Sequence, residues 1–295
     1  MLPDPNLLRA SIPMHWSEDT LSSTKSVSLQ ISVDNVYFTR AMAIPDLISS
    51  VKKSDIDTVG HLKDEQLEQM FQDAFDVVQT RCCAVDHPTA TAADNKKVRL
   101  VAPVFDFLNH GTGRLNGSPN AMYESRVIDG EPMLVVTATN DININEEVFI
   151  DYGESAHTAW KCLGSYGFVP HYESGDERST AELYVDGVRS EVGGDSVPFE
   201  LIEAASNALD IEMDENYLTP AVAFRIAEKA FDFADELYTI DESEPSSTVT
   251  AVTESEEDIY SSSLAISLRQ HQSKILREWA FGLKQFAAAQ CADQY

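Results

Sequence analysis

The sequence contains no long apolar run. No apolar stretch approaches the roughly 20 residues that a membrane-spanning helix needs, and residues 1–5 contain neither a basic region nor an apolar one. We therefore predict no membrane span and no signal peptide. Cysteine is also scarce, and no C-x-x-C pair occurs among Cys82, Cys83, Cys162 and Cys291. This usage predicts a reducing, intracellular environment, with neither a disulfide framework nor a zinc cluster.

Positive charge is scarce as well. The 295 residues include 21 lysines and arginines against 49 aspartates and glutamates, so the net charge is −28 at pH 7. A field of that sign repels phosphate groups and attracts basic protein segments. We therefore predict no direct binding of nucleic acid, while the acidity can serve either solubility or the attraction of a basic partner. Nothing in the pattern predicts an oligomeric state.

Helical periodicity is strongest near both ends of the chain. Residues 62–83 place apolar side chains at spacings of three and four along one face, which predicts an amphipathic helix. Thr219-Pro220 is a typical start of a helix, and residues 264–286 predict another with an apolar stripe. Between these two, residues 239–259 contain seven acidic side chains and no lysine or arginine. That composition predicts a loosely held loop.

Short strands separated by irregular segments are predicted between residues 98 and 172. Asp129-Gly130 tolerates positive φ at both positions and predicts a hairpin between residues 123–128 and 133–138. A further short strand is predicted at residues 148–150. Helical ends and a β-rich middle together predict an α+β protein.

Three segments of the β-rich region stand out. They are residues 102–110, which end in Asn109-His110, residues 145–153, which end in Asp151-Tyr152-Gly153, and residues 163–170, which contain Tyr166-Gly167-Phe168. Each has an ordinary structural explanation, because asparagine often ends a strand and aromatic residues often flank a tight bend. Taken singly, each segment favours that explanation.

Together, in this order and at these separations, the three segments resemble the C-terminal half of a SET domain. The resemblance is to the branch related to Rubisco large-subunit methyltransferase. Residues 13–21 and 74–81 resemble the opening and the closing of that branch's helical insertion, and residues 185–290 resemble its helical substrate-binding domain.

This resemblance implies a function, a cofactor and a set of site residues. The implied activity is transfer of a methyl group from S-adenosyl-L-methionine to a lysine of a protein substrate, without a metal. Tyr152 is implied as the catalytic residue. The implied cofactor-binding residues are Arg81, Asp106, Asn109, His110, Tyr166, Gly167 and Phe168.

The implied fold is an incomplete β-rich SET domain followed by an all-helical C-terminal domain. The SET domain is expected over residues 1–172, with a mostly helical insertion in 1–95 and the C-terminal SET core in 96–172. The helical domain is expected over 183–295. The SET domain is expected to be incomplete because such domains begin with a strand pair and a Gly-x-Gly loop, and no glycine precedes Gly60.

The chemistry explains why such residues would be needed. Methyl transfer is an in-line displacement at a sulfonium carbon, so catalysis depends on alignment and on the exclusion of water. The amine must arrive deprotonated, and a dry channel beside a positive charge lowers the pKa of a lysine. The hydroxyl of Tyr152 can hydrogen-bond to that amine without adding charge.

Other functions remain open from the sequence. One is a non-catalytic protein-interaction module left by the incomplete SET domain, and another is methylation of histidine. Cys82 lies on the apolar stripe of residues 62–83, which favours a packed thiol over a nucleophile, and His271 is expected to be a satisfied core residue. No spacing supports a metal cluster of Asp86, His87, Asp106 and His110.

Overall fold

The structure is a computed structural model of the chain. It describes residues 5–54, 59, 61–86, 97–112, 117–172, 176, 178–213, 218–243 and 255–292. Within these ranges, no helix combines the length and the apolar character that crossing a membrane requires.

The N-terminal part of the chain is helical. It contains α1 (Pro5–Ser11), a 3-10 turn at Pro13–His15, α2 (Glu18–Ser23), α3 (Val27–Lys53) and α4 (Asp64–Arg81). Serine side chains begin two of these helices, because a hydroxyl can accept a hydrogen bond from a backbone N–H of the first turn. Ser17 accepts from Thr20 at the start of α2, and Ser26 accepts from Leu29 at the start of α3.

Helix α4 confirms the helix predicted over residues 62–83, but the predicted buried face is only partly correct. Leu67 is buried, whereas Met70 and Val78 are 48% and 46% exposed. Asp76 lies on the same helix and is only 1% exposed. An acidic side chain is therefore buried on α4 while two residues of the apolar stripe are not.

The burial of Asp76 is explained by two cationic or polar neighbours. Arg40 Nη1 donates to one carboxylate oxygen at 2.6 Å, and His15 Nε2 lies 2.9 Å from the other. Burial opposes the charged form of Asp76, but the hydrogen bonds from His15 and Arg40 outweigh it and lower its pKa. Arg40 Nη2 also donates to Gln79 Oε1 at 2.7 Å, and Gln79 Nε2 donates to the carbonyl of Gly164 at 2.6 Å.

The middle of the chain forms two-stranded sheets. Its elements are β1 (Cys82–Asp86), β2 (Lys97–Val101), a 3-10 turn at Phe105–Phe107, β3 (Asn109–His110), β4 (Ala121–Ile128), β5 (Glu131–Ala138) and β6 (Phe149–Ile150). Strands β1 and β2 pair antiparallel, and β3 pairs parallel with β6. Strands β4 and β5 form the hairpin predicted at Asp129-Gly130, where φ is 54° and 85°. Cys82, predicted on a helix, instead begins β1 because α4 ends at Arg81.

In the C-terminal part, the last three helices pack against one hairpin. Its elements are α5 (Glu154–His157), α6 (Ala159–Tyr166), β7 (Ala181–Val185), β8 (Val188–Val192), α7 (Phe199–Ala208), α8 (Pro220–Ser243) and α9 (Glu256–Ala292). Helix α8 begins at Pro220 as predicted, and Thr219 Oγ1 accepts from the N–H of Val222 at 3.3 Å. The core between α7, α8, α9 and the hairpin includes Leu183, Leu201, Ile226 and Leu276.

The predicted α+β class is confirmed, with two differences in detail. The region predicted to be all-helical from residue 183 includes most of the β7–β8 hairpin, which turns at Asp186-Gly187 with φ of 49° and 91°. This is a second Asp-Gly turn of the kind that predicted the first hairpin. The loop predicted over residues 239–259 is wrong at both ends, because 239–243 continue α8 and 256–259 begin α9. Residues 244–254 lie outside the described residues.

We predict that Asp76→Asn strongly destabilises the fold. The substitution keeps the shape of the side chain but leaves the guanidinium of Arg40 buried without its counter-charge, which costs about 3–5 kcal/mol of the free energy of unfolding. Asp73→Asn is the matched control, because Asp73 lies on the same helix and pairs with Arg9 at the surface. An exposed pair contributes about 0–1 kcal/mol. Urea unfolding of both variants measures the difference, and equal losses would contradict the role given to Asp76.

Candidate active site

The parallel pairing of β3 with β6 brings together two of the three segments noted in the sequence. Asn109 lies opposite Phe149 and His110 lies opposite Ile150. The N–H of Gly111 donates to the carbonyl of Ile150 at 3.0 Å, which continues the pairing. Each segment is fixed by backbone hydrogen bonds to the other, so the residues that follow β3 and β6 begin side by side.

The third segment adds two aromatic rings to the same place. Tyr152, two residues after β6, has its ring centroid 4.8 Å from that of Tyr166, 5.3 Å from His110 and 6.4 Å from Phe168. Aromatic pairs at such distances contribute about 0.5–1.5 kcal/mol beyond the area that they bury. The three segments therefore meet in one aromatic cluster, with Tyr152 in contact with each of the others.

His110 is buried, and both nitrogens of its ring have partners within the protein. Nδ1 lies 3.2 Å from the N–H of Tyr152, which donates to it, and Nε2 lies 2.8 Å from the hydroxyl of Tyr172. The Tyr172 hydroxyl donates to the carbonyl of Ala156 at 2.8 Å. It must therefore accept from His110, which places the proton of a neutral imidazole on Nε2. Burial lowers the pKa of His110, and the nearby Asp151 opposes that shift only in part.

Tyr152 presents a neutral hydroxyl with free acceptor capacity. Its hydroxyl donates to the carbonyl of Leu108 at 2.8 Å. A phenol has one proton to donate and two lone pairs, so this bond uses its donor and leaves it able to accept. Burial raises the pKa of Tyr152 to about 12, despite the opposing charge of Arg81. The hydroxyl is therefore protonated at neutral pH.

A cavity of about 1130 Å³ opens beside the aromatic cluster. Arg81, the last residue of α4, donates from Nη1 to the backbone carbonyl of Asp106 at 2.9 Å, and both residues line the cavity. The Oδ1 atom of Asp106 is buried and has no hydrogen-bond partner in the described part of the chain. Helix α3 contributes a further wall through Ser28, Ser32 and other polar residues.

The predicted site residues divide into two groups by position. Four of them line the cavity, namely Arg81, Asp106, Tyr152 and Tyr166. The other four, Asn109, His110, Gly167 and Phe168, are not part of its wall. His110 and Phe168 support Tyr152 by packing, whereas the side chain of Asn109 is exposed and donates to Glu147.

Gly167 ends a helix at a position where the backbone angles and the available space both favour glycine. It ends α6 in the left-handed region, with φ of 78° and ψ of 24°, and its N–H donates to the carbonyl of Leu163. A Cβ atom at this position would lie 2.6 Å from Ser11 Oγ. Glycine is therefore favoured here both by the backbone angle and by the close approach of α1.

Several lining residues were not predicted from the sequence. Tyr123 lines the cavity with its ring 4.8 Å from that of Phe105 in an edge-to-face arrangement, and Trp160 donates from Nε1 to Glu191 at 3.0 Å. Tyr172, the partner of His110, was also missed. It lies four residues after Phe168, so extending the aromatic segment past residue 170 would have included it.

The other candidate sites considered from the sequence gain no support. Within the described ranges no group of three or more potential metal ligands occurs, and His87 lies outside them. Burial raises the pKa of Cys82, which disfavours a nucleophilic thiolate. His271 is a core residue as expected, but it is not fully satisfied, because its Nε2 has no hydrogen-bond partner among the described residues. Burial lowers the pKa of His271 to about 4.

Comparison with known proteins gives a class for this site. Residues 15–153 match the family model of the SET domain, and this range contains Arg81, Asp106 and Tyr152. The predicted presence of a SET domain is therefore confirmed, and a SET-type methyltransferase is the class that the match supports. The predicted bounds of the domain and its incompleteness stay predictions.

Comparisons with individual proteins are less informative than the match to the SET family. The chain is similar to a solved structure described as the SET domain of LSMT bound to lysine and AdoHcy, with a TM-score of 0.45 and 12% identity, over 93% of this chain and 68% of that one. No curated protein matches the chain.

We predict that Gly167→Ala destabilises the fold more than the same change at a second left-handed glycine. The left-handed backbone costs an alanine roughly 1–2 kcal/mol, and the contact with Ser11 adds about 1–3 kcal/mol of overpacking. Gly130→Ala is the matched control, since Gly130 has φ of 85° but no atom within 4 Å of the added Cβ. Chemical denaturation measures both losses. Equal losses would contradict the close approach of α1 to Gly167.

Proposed function

We propose that this chain is an S-adenosyl-L-methionine-dependent protein-lysine N-methyltransferase. The observation that carries the proposal is the position of Tyr152. Tyr152 lines the cavity together with Arg81 and Asp106, and all three residues lie within the range that matches the SET domain. Its acceptor capacity and its neutral charge suit it to orient an amine.

The residues of the cavity fit the proposed cofactor. A volume of about 1130 Å³ exceeds the about 300–1,000 Å³ typical of small-molecule sites, which leaves space for a side chain of the substrate. The guanidinium of Arg81 suits the carboxylate of S-adenosyl-L-methionine. The Oδ1 atom of Asp106, which has no hydrogen-bond partner among the described residues, suits its amino group. When bound, the cofactor supplies a methyl group activated by its sulfonium charge.

His110 is proposed to support Tyr152 rather than to contact the cofactor directly. Because both ring nitrogens already have partners, His110 acts by holding the backbone of Tyr152 in place. Tyr166 and Phe168 contribute aromatic surface, the first in the wall of the cavity and the second behind Tyr152. Asn109 is not part of the cavity wall, so its side chain is not proposed to contact the cofactor.

Tyr152 is proposed to align the substrate amine. Its hydroxyl donates to Leu108, so it can only accept from the substrate, and an N–H of the lysine amine would be that donor. With this N–H held, the lone pair of the nitrogen has fewer orientations available, which favours in-line attack. Tyr152 is not proposed as a base, because a hydroxyl with a pKa of about 12 holds its proton at neutral pH.

The amine is proposed to lose its proton to water before the transfer. The partial removal of the cavity from solvent favours the neutral amine, because burial lowers the pKa of a lysine that enters. The chain therefore needs no dedicated general base at this site.

We predict that Tyr152→Phe slows methyl transfer while the protein remains folded. The ring is kept, so the aromatic cluster is kept, and loss of one hydrogen bond costs about 0.5–1.5 kcal/mol of stability. Loss of alignment in the transition state is expected to lower turnover by about 10²-fold. Radiolabelled methyl transfer to a lysine-containing protein substrate, beside thermal melts, measures both effects.

Tyr238→Phe is the matched control, because it removes the same hydroxyl from an exposed ring on α8. It is expected to change neither turnover nor melting temperature. An unchanged rate in Tyr152→Phe would remove this residue from the mechanism. Mass spectrometry of the product identifies the methylated residue, so a histidine acceptor would refute lysine specificity while leaving methyl transfer intact.

A further inference from the structure

The charge of the candidate active-site cavity is opposite to that of the chain as a whole. Acidic residues outnumber basic ones by 49 to 21 in the sequence. Among the described residues, those that line the cavity include two acidic side chains, Asp106 and Glu191. They include six basic ones, which are Arg40, Arg81, Lys97, Arg99, Lys161 and Arg189.

Three of these cations are balanced by carboxylates of the protein. Arg40 pairs with Asp76, Lys161 Nζ lies 3.4 Å from Glu191, and Arg189 lies 4.0 Å from the buried Glu182. Arg81 is the residue proposed above for the cofactor's carboxylate. The cations left over are Lys97 and Arg99.

Lys97 and Arg99 form no ion pair with any residue that the structure describes. They belong to the same strand, β2, two positions apart, so both side chains are on one face of it. Both are exposed and both line the cavity, whereas Val98 between them does not. Two positive charges thus project from one face of β2 at a spacing of about 7 Å.

We propose that Lys97 and Arg99 select protein substrates with acidic side chains at alternate positions beside the target lysine. This inference rests on the proposed methyltransferase function and adds a substrate class to it. An extended peptide also places alternate side chains on one face, about 7 Å apart. Carboxylates at alternate positions therefore match the two cations in spacing as well as in charge.

The net charge of −28 does not prevent such a substrate from binding. Charges are screened over about 8–10 Å at physiological salt, so a peptide in the cavity responds mainly to the nearest side chains. There Lys97 and Arg99 form no ion pair with the described residues, including Asp86, which lies opposite Lys97 in the pairing of β1 with β2. The same two cations disfavour the protonated form of an entering lysine, so acidic flanking residues would also offset the repulsion that a lysine meets in this cavity.

Fluorescence anisotropy with short labelled peptides tests this inference without any methyl transfer. One peptide has a central lysine with glutamates at alternate positions beside it, and the other has glutamines at those positions. The complete chain is expected to bind the glutamate peptide about three- to tenfold more tightly, the range for two partly exposed charge pairs. In the double variant Lys97→Gln/Arg99→Gln this preference is expected to disappear.

Lys274→Gln/Lys284→Gln is the matched control, since it removes two positive charges from α9, outside the cavity wall. It should keep the preference for glutamate. Equal binding of the two peptides, or a preference that survives Lys97→Gln/Arg99→Gln, would overturn the proposal. It would also be overturned if only a phosphorylated peptide bound more tightly than the glutamine peptide. A failure of methyl transfer would instead refute the proposed function, because the binding assay contains no cofactor.

Discussion

The buried ion pair between Arg40 and Asp76 is the interaction on which the arrangement of the N-terminal helices depends. A carboxylate at 1% exposure is stable on α4 only because α3 supplies a guanidinium at 2.6 Å and the 3-10 turn supplies His15. Three elements separated in sequence must therefore meet at one point. A shift of any of them would leave a buried charge without its partner.

The Arg40–Asp76 pair is linked to the candidate active site by hydrogen bonds through Gln79. Gln79 accepts from Arg40 and donates to the carbonyl of Gly164, which lies in α6 two residues before Tyr166. Helix α6 is thereby tied to α3 and α4 on one side. On the other side, Gly167 lets α1 approach the end of α6 closely. The cavity wall is thus positioned by these polar contacts and a glycine, together with a small apolar cluster that includes Leu29 of α3 and Leu163 of α6.

The features that could be predicted from the sequence are those that depend on interactions between residues close together in the chain. Local signals were sufficient for the Asp129-Gly130 hairpin and for the start of α8 at Pro220, because turn and cap preferences act within a few residues. The burial of Asp76 could not be predicted, since helical periodicity marks apolar faces and the partner lies 36 residues away. Lys97 and Arg99 were missed because a basic pair on a strand has meaning only once a cavity is seen beside it.

We propose above all that the cavity between α3, α4, β2 and α6 binds the cofactor. Hydrogen–deuterium exchange with and without saturating S-adenosylhomocysteine tests it most directly. We expect slower exchange in peptides from the end of α4 and from the end of α6, which contain Arg81 and Tyr166, and little change in α8 and α9. Protection confined to α8 and α9, or no protection anywhere, would contradict it.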